Sequence, residues 1–196
     1  ALNSSPTMEI FDENGNYMQD PFCVIEPNAY GALVGNQSER RSDVVNGHID
    51  LKFNICKGFT FTTSNGFDYY NGTNYNFTSN LWTRTHQANM GNGNTQRMNL
   101  QSVNNFTYVG EWGDHNLVAT GVWEATKSTT SGMNINGNNL KNPGVGWWNV
   151  KNAEVINAGN SYSDWALLSG VARVMYNYAG KYMVTGTFRA DGSSRF

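Results

Sequence analysis

The sequence has 196 residues, a formal net charge of −2, 14% charged residues and 13% aromatic residues. A near-neutral balance without clustered Lys and Arg excludes a phosphate-binding surface, so nucleic acid is not a partner. No stretch approaches the roughly 18 apolar residues of a spanning helix, and polarity comes from Asn, Ser, Thr and Gly, which suit turns and strand faces, so the chain reads as all-β.

Residues 1–6 lack the basic segment and apolar run of a secretory signal, and residues 191–196 stop just after an apparent strand; both ends read as cuts through a longer protein. Cys23 and Cys56 are too few for a disulfide framework and have no metal-ligand spacing, so they read as unpaired thiols.

From Val45 the alternation is strict. Val45, Gly47, Ile49, Leu51, Phe53 and Ile55 take one face, and Asn46, His48, Asp50, Lys52 and Asn54 the other. Lys57-Gly58 then turns the chain, with Gly58 free to adopt positive φ. The returning arm places Phe59, Phe61, Thr63, Asn65, Phe67 and Tyr69 opposite Thr60, Thr62, Ser64, Gly66 and Asp68. Residues 71–95, rich in Asn and Gly, read as a long loop whose 75–85 portion can extend a strand.

A second hairpin has arms at 98–108 and 115–124, joined through Glu111-Trp112-Gly113-Asp114. Its second arm puts Leu117, Ala119, Gly121 and Trp123 opposite Asn116, Val118, Thr120 and Val122, a weaker contrast. Residues 125–161 read as another long loop, with 152–157 open to helix. The third hairpin alternates again: Ala166, Leu168, Gly170, Ala172, Val174, Tyr176 and Tyr178, a turn at Ala179-Gly180, then Tyr182, Val184, Gly186, Phe188 and Ala190. Arg173, Asn177, Lys181, Thr185, Thr187, Arg189 and Asp191 oppose them.

Connections thus run short, long, short, long, short. That rhythm belongs to an antiparallel up-and-down transmembrane β-barrel with short periplasmic turns and long extracellular loops, here a segment of about six strands. Aromatics gather at the ends of the strands, Phe67, Tyr69 and Tyr70 on the outer side and Tyr108, Trp112, Tyr176, Tyr178 and Tyr182 on the periplasmic side, as in the girdles that sit at headgroup level.

Residues 173–196, from Arg173 through Tyr176, Tyr178 and Tyr182 to Arg189-Ala-Asp-Gly-Ser-Ser-Arg-Phe196, resemble the hallmark of the SusC/RagA family of TonB-linked outer-membrane transporters (TonB-dependent receptors). Residues 46–61, continuing to Gly66-Phe-Asp-Tyr69, are similar to another hairpin of the family, and Trp165 also fits; Cys56 departs from the pattern. The resemblance covers about 6–196, with the loops matching only in kind. It implies that residues 1–196 are part of a transporter barrel of about 22 strands, with the plug domain and remaining strands absent. It also implies location in the bacterial outer membrane and import of oligosaccharides or peptides. The partners it implies are a SusD-like surface lipoprotein over the mouth, and the TonB system acting through N-terminal parts outside this chain.

No catalytic, metal or cofactor site is expected. His48, His86 and His115 are scattered, with no nucleophile context around them, and read as solvated side chains. Asp191-Gly192-Ser193-Ser194 lacks the further ligands of a calcium loop. The candidate substrate-binding residues are Trp147, Trp148 and Asn149, because aromatic faces stack on sugar rings while Asn pairs with hydroxyls. Packing of the two Trp side chains onto the rim is the competing reading. A soluble or surface carbohydrate-binding β-domain would share the aromatic and Asn content, though not the loop rhythm. A structural adhesin would show a fixed repeat, which is absent.

Overall fold

The computed structural model describes residues 8–21 and 28–195; Cys23, residues 1–6 and Phe196, which entered the sequence reading, lie outside them. A short helix α1 (Ala29–Gly35) precedes six strands: β1 (Gln37–Cys56), β2 (Phe59–Thr78), β3 (Asn89–Trp112), β4 (His115–Leu140), β5 (Ala153–Tyr178) and β6 (Tyr182–Ser193). They form one antiparallel sheet in sequence order. No described helix is long and apolar enough to cross a membrane, which leaves crossing by strands untouched.

The expected hairpins are present, and their turns follow from backbone geometry. Gly58 has φ 79° between β1 and β2, and Gly113 has φ 59° between β3 and β4. Positive φ is the conformation that lets a tight connection follow the twist of its strands. The second turn is narrower than expected: Glu111 and Trp112 end β3, leaving Gly113-Asp114 to reverse the chain. Between β5 and β6 both Ala179 (φ 51°) and Gly180 (φ 68°) are left-handed, and Lys181 N–H donates to the Tyr178 carbonyl at 3.0 Å.

The alternation predicts the faces correctly. In the β5–β6 register Ala172 faces Phe188, Val174 faces Gly186, Tyr176 faces Val184 and Tyr178 faces Tyr182, while Arg173 faces Thr187 and Ser169 faces Asp191. Directly opposed residues share a face, so the apolar series meets itself across the pair, whereas the other face mixes polar residues with Leu167, Val171, Met175 and Met183. On the apolar face Phe53 stacks on Phe61, and Phe61 on Phe106 with centroids 4.7 Å apart. On the polar face Gln101 donates to Glu124 at 3.0 Å and Ser128 to Asn99 at 2.6 Å. The apolar face is left uncovered: Ile49, Leu51, Ile55, Val184 and Phe188 are all exposed.

The two long loops are much shorter than the sequence suggests. β2 continues to Thr78 and β3 begins at Asn89, so most of 71–95 is strand; β4 runs to Leu140 and β5 begins at Ala153, so most of 125–161 is strand as well. Only a 3-10 turn, Val150–Asn152, stands near the stretch read as open to helix. Asn, Gly and Ser have poor intrinsic strand preference, but cross-strand ladders supply what propensity lacks.

The chain divides into two compact units. One comprises Ala1–Ser42, Asn71–Thr95 and Ser131–Ser161, the other Asp43–Tyr70, Gln96–Thr130 and Tyr162–Phe196. The first holds a small core of Phe77, Ala88, Met90, Leu140 and Ala153, onto which Trp147 and Val150 pack. It also contains α1, which the sequence reading missed. Asn28 caps that helix by accepting from Gly31 N–H at 2.8 Å, and its amide donates to the Ile10 and Met18 carbonyls. Gly31 and Gly35 leave room for Trp82, whose side chain lies where any β-carbon would go. The legible signal was an Asn cap followed by glycines four apart.

Candidate functional site

The candidate loop follows β4. Asn142 and Asn152 clasp its base: Asn142 N–H donates to Asn152 Oδ1 at 3.2 Å, and Asn152 Nδ2 returns to the Asn142 carbonyl at 2.7 Å. Inside the clasp the chain makes a 3-10 turn at Pro143–Val145, with Asn142 Oδ1 accepting from Gly144 N–H, and reaches Trp147, Trp148 and Asn149. Trp147 stacks on Tyr75 with centroids 5.9 Å apart, and its carbonyl accepts from Asn92 Nδ2 at 3.1 Å. Trp148 also meets Tyr75, at 5.8 Å, yet is 70% exposed. Arg41, paired with Glu39, lies over the Tyr75 ring at 6.0 Å.

The structure therefore brings the three predicted residues together but gives them different surroundings. Trp147 belongs to the packing of the loop, with its indole N–H buried and unpartnered in the structure. Trp148 and Asn149 are exposed, and the Asn149 side chain makes no capping bond. A flat aromatic face beside an unused amide can stack on an apolar ring face and pair with a hydroxyl.

The fold also assembles a cluster that the sequence reading did not anticipate. On the polar face of β1 and β2, His48 Nε2 lies 2.9 Å from Asp50 Oδ1 and 3.2 Å from Ser64 Oγ, and Ser64 Oγ donates to the same Asp50 oxygen at 2.5 Å. The residue types are those of a hydrolytic triad, but the geometry is not. A relay needs the acid on one ring nitrogen and the nucleophile on the other. Here one nitrogen serves both, and the carboxylate takes the hydroxyl proton. The spacing His48, Asp50 and Ser64 was readable only through the hairpin register.

His115 also departs from expectation. Rather than being solvated, it lies among aromatics at the turn end of the sheet, 4.9 Å from the Tyr178 ring and stacked on Trp112, with Nδ1 2.5 Å from the Tyr176 hydroxyl. Among the described residues, no group of three or more His, Cys, Asp or Glu stands ready to hold a metal.

The carboxy-terminal motif closes β6 onto β5. Arg189 pairs with Asp191 at 2.8 Å, Ala166 N–H donates to Ser194 Oγ at 2.8 Å, Ser194 N–H returns to the Ala166 carbonyl at 3.0 Å, and Arg195 lies 5.0 Å over Trp165. These contacts explain the motif as a strand-ending clamp rather than as a ligand site.

No family model matches the chain. It is 28% identical over 97% of its length to TonB-dependent receptor P39 of Formosa agariphila, and 27% identical over its whole length to TonB-dependent receptor P3 of the same organism. The chain spans about a fifth of the length of these curated relatives (19% and 20%). In fold it is similar to the RagAB peptide transporter, with a TM-score of 0.71 and 20% identity over 95% of this chain and 22% of that one. The closed-closed state of the RagAB peptide importer gives a TM-score of 0.73 at 19% identity, again over 95% of this chain and 22% of that one. Likeness in sequence to TonB-dependent receptors and likeness in fold to a segment of RagAB agree over nearly the whole chain.

Proposed function

We propose that this chain forms part of the wall of an outer-membrane importer whose cargo is an oligosaccharide, with peptides as the competing cargo class. The observation that carries the reading is the uncovered apolar face of the strands, paired in register with a polar face that hydrogen-bonds to itself. Lipid suits the first and a polar lumen suits the second. On this reading residues 1–196 are a partial barrel domain, and the plug and the other strands belong to the rest of the polypeptide. A SusD-like lipoprotein covers the extracellular mouth, and TonB supplies energy through the parts outside this chain. Trp148 and Asn149 meet cargo, or the partner that delivers it, while Trp147 holds the loop in place.

The test uses the full-length transporter in its native outer membrane. Uptake of labelled oligosaccharides and peptides is measured with and without an energised inner membrane, and with the adjacent lipoprotein gene intact or deleted. Energy-dependent uptake that falls on deletion supports the reading. Uptake that ignores both conditions rejects it.

A further inference from the structure

Within the first unit, the sheet face opposite Tyr75 carries a feature that none of the foregoing roles uses. In β2, Asn74 and Asn76 alternate with Tyr75 and Phe77, so they point away from the aromatic loop. They line a cleft of about 240 Å³ together with Thr95, Asn134, Asn136 and Ser161. Its floor is made by glycines. A β-carbon on Gly93 would sit 2.5 Å from Asn74 Oδ1, one on Gly91 2.8 Å from Asn136 Oδ1, and one on Gly159 2.9 Å from Asn134 Oδ1. Each amide thus lies across bare backbone on the neighbouring strand, in space that only glycine leaves open.

The chemistry of the cleft is narrow. None of its lining residues carries a charge. Asn76 Oδ1 accepts from Ser38 Oγ at 2.9 Å, but among the described residues no hydrogen bond occupies the side-chain amides of Asn74, Asn134 or Asn136. Each free amide offers a carbonyl acceptor and two donors, and a sugar hydroxyl likewise both gives and takes a proton. A charged group entering the same cleft would give up hydration and find no counter-charge.

We propose that this cleft is a subsite for one ring of an uncharged oligosaccharide, held by Asn74, Asn134 and Asn136 over the glycine floor. The proposal rests on the import reading above and deepens it by separating neutral sugars from charged sugars and from peptides.

The experiment measures binding to the purified full-length transporter in detergent by titration calorimetry. The probes are neutral hexasaccharides of α-glucan, β-glucan, mannan and galactan linkage, a hexagalacturonate, and a hexapeptide of Gly and Ala with blocked ends. At least one neutral hexasaccharide should bind, and the N74A/N134A/N136A variant should bind it roughly tenfold or more weakly. The Gly93→Val variant, which fills the floor with a side chain that strands accept, should lose the same ligand. Folded yield of each variant is checked by heat-modifiable gel mobility, and Gly93→Val stands as the second probe should the triple variant fold poorly. The subsite is overturned if no neutral hexasaccharide binds, if both variants bind it as wild type does, or if the hexagalacturonate or the peptide binds equally well. Uptake assays separate the two ideas. Peptide-only uptake untouched by the Asn substitutions removes the subsite and leaves import standing, whereas binding without energy-dependent uptake removes import and leaves the subsite.

Discussion

Trp147 and Trp148 are adjacent in sequence and unlike in surroundings, and that difference sets distinct outcomes for their removal. Trp147→Ala takes a ring from the packed cluster around Phe77, Met90 and Leu140, so we expect the loop to loosen by about 1–3 kcal/mol, below the 3–5 kcal/mol of a fully buried Trp. Limited proteolysis between Lys141 and Lys151 should accelerate. Trp148→Ala removes a ring that is 70% exposed, so proteolysis should stay unchanged, while on the proposed reading cargo or partner affinity falls. Equal proteolysis of both variants would contradict this division of roles. Asp12 offers a second test. Its carboxylate accepts from Asn16 N–H at 2.8 Å and Asn14 N–H at 2.9 Å, chiefly the former holding its pKa below the ordinary carboxylate value. A depressed folded pKa means the contribution is present above the unfolded pKa and lost as pH falls through the folded one. Hydrogen exchange in residues 10–18 should therefore rise in acid beyond the intrinsic pH trend, and Asp12→Ala should abolish that pH dependence. If wild type and variant respond alike to acid, the carboxylate is not what fastens the turn.

The hairpins were legible because two signals coincide in them: period-two alternation and a residue able to take positive φ. Ala179 is the exception, since a side chain there adopts φ 51° where glycine or asparagine is more comfortable. The left-handed conformation costs an ordinary residue about 1–2 kcal/mol, so Ala179→Asn should raise the urea midpoint of barrel unfolding and Ala179→Val should lower it. No shift with either would mean that the turn is held from elsewhere, for which the Ala179 N–H bond to the Asp114 carbonyl at 2.7 Å is the available contact. Residues 71–95 and 125–161 were not legible as strands. Their Asn, Gly and Ser composition is that of loops, and an isolated stretch of either would be one. They extend because each has a neighbour to pair with, as when Asn94 reaches Asn71 at 2.9 Å and Thr73 at 3.2 Å. The Asn-over-Gly contacts of the cleft were illegible for the same reason: Asn74 and Gly93 meet only through the register of two strands.

Across the whole molecule, the assignment of faces is what an experiment can break. Leu51 and Val184 lie on strictly alternating strands, both exposed on the apolar face, and Ala119 lies on the weaker β4 alternation. Arg at mid-depth on a lipid face costs roughly 2–4 kcal/mol, whereas lumen positions tolerate charge. On the proposed reading, in the full-length protein in its membrane, Leu51→Arg, Val184→Arg and Ala119→Arg should each reduce folded yield far more than Thr120→Arg. Tolerance at Ala119 alone would reverse the facing of β4; tolerance at Leu51 and Val184 as well would remove the membrane. What the sequence by itself determined was the all-β class, the three hairpins and the two-faced strands, since alternation and turn chemistry are local and survive in a linear reading. The resemblance in residues 173–196 was legible too, because the motif is contiguous. Only tertiary structure decided the length of the strands, the packing of Trp147 beside the exposure of Trp148, the meeting of His48, Asp50 and Ser64, and the amides lying over glycine. Each of these depends on which residues of separate strands stand opposite one another, and cross-strand register is fixed by pairing and packing rather than by the composition of either strand.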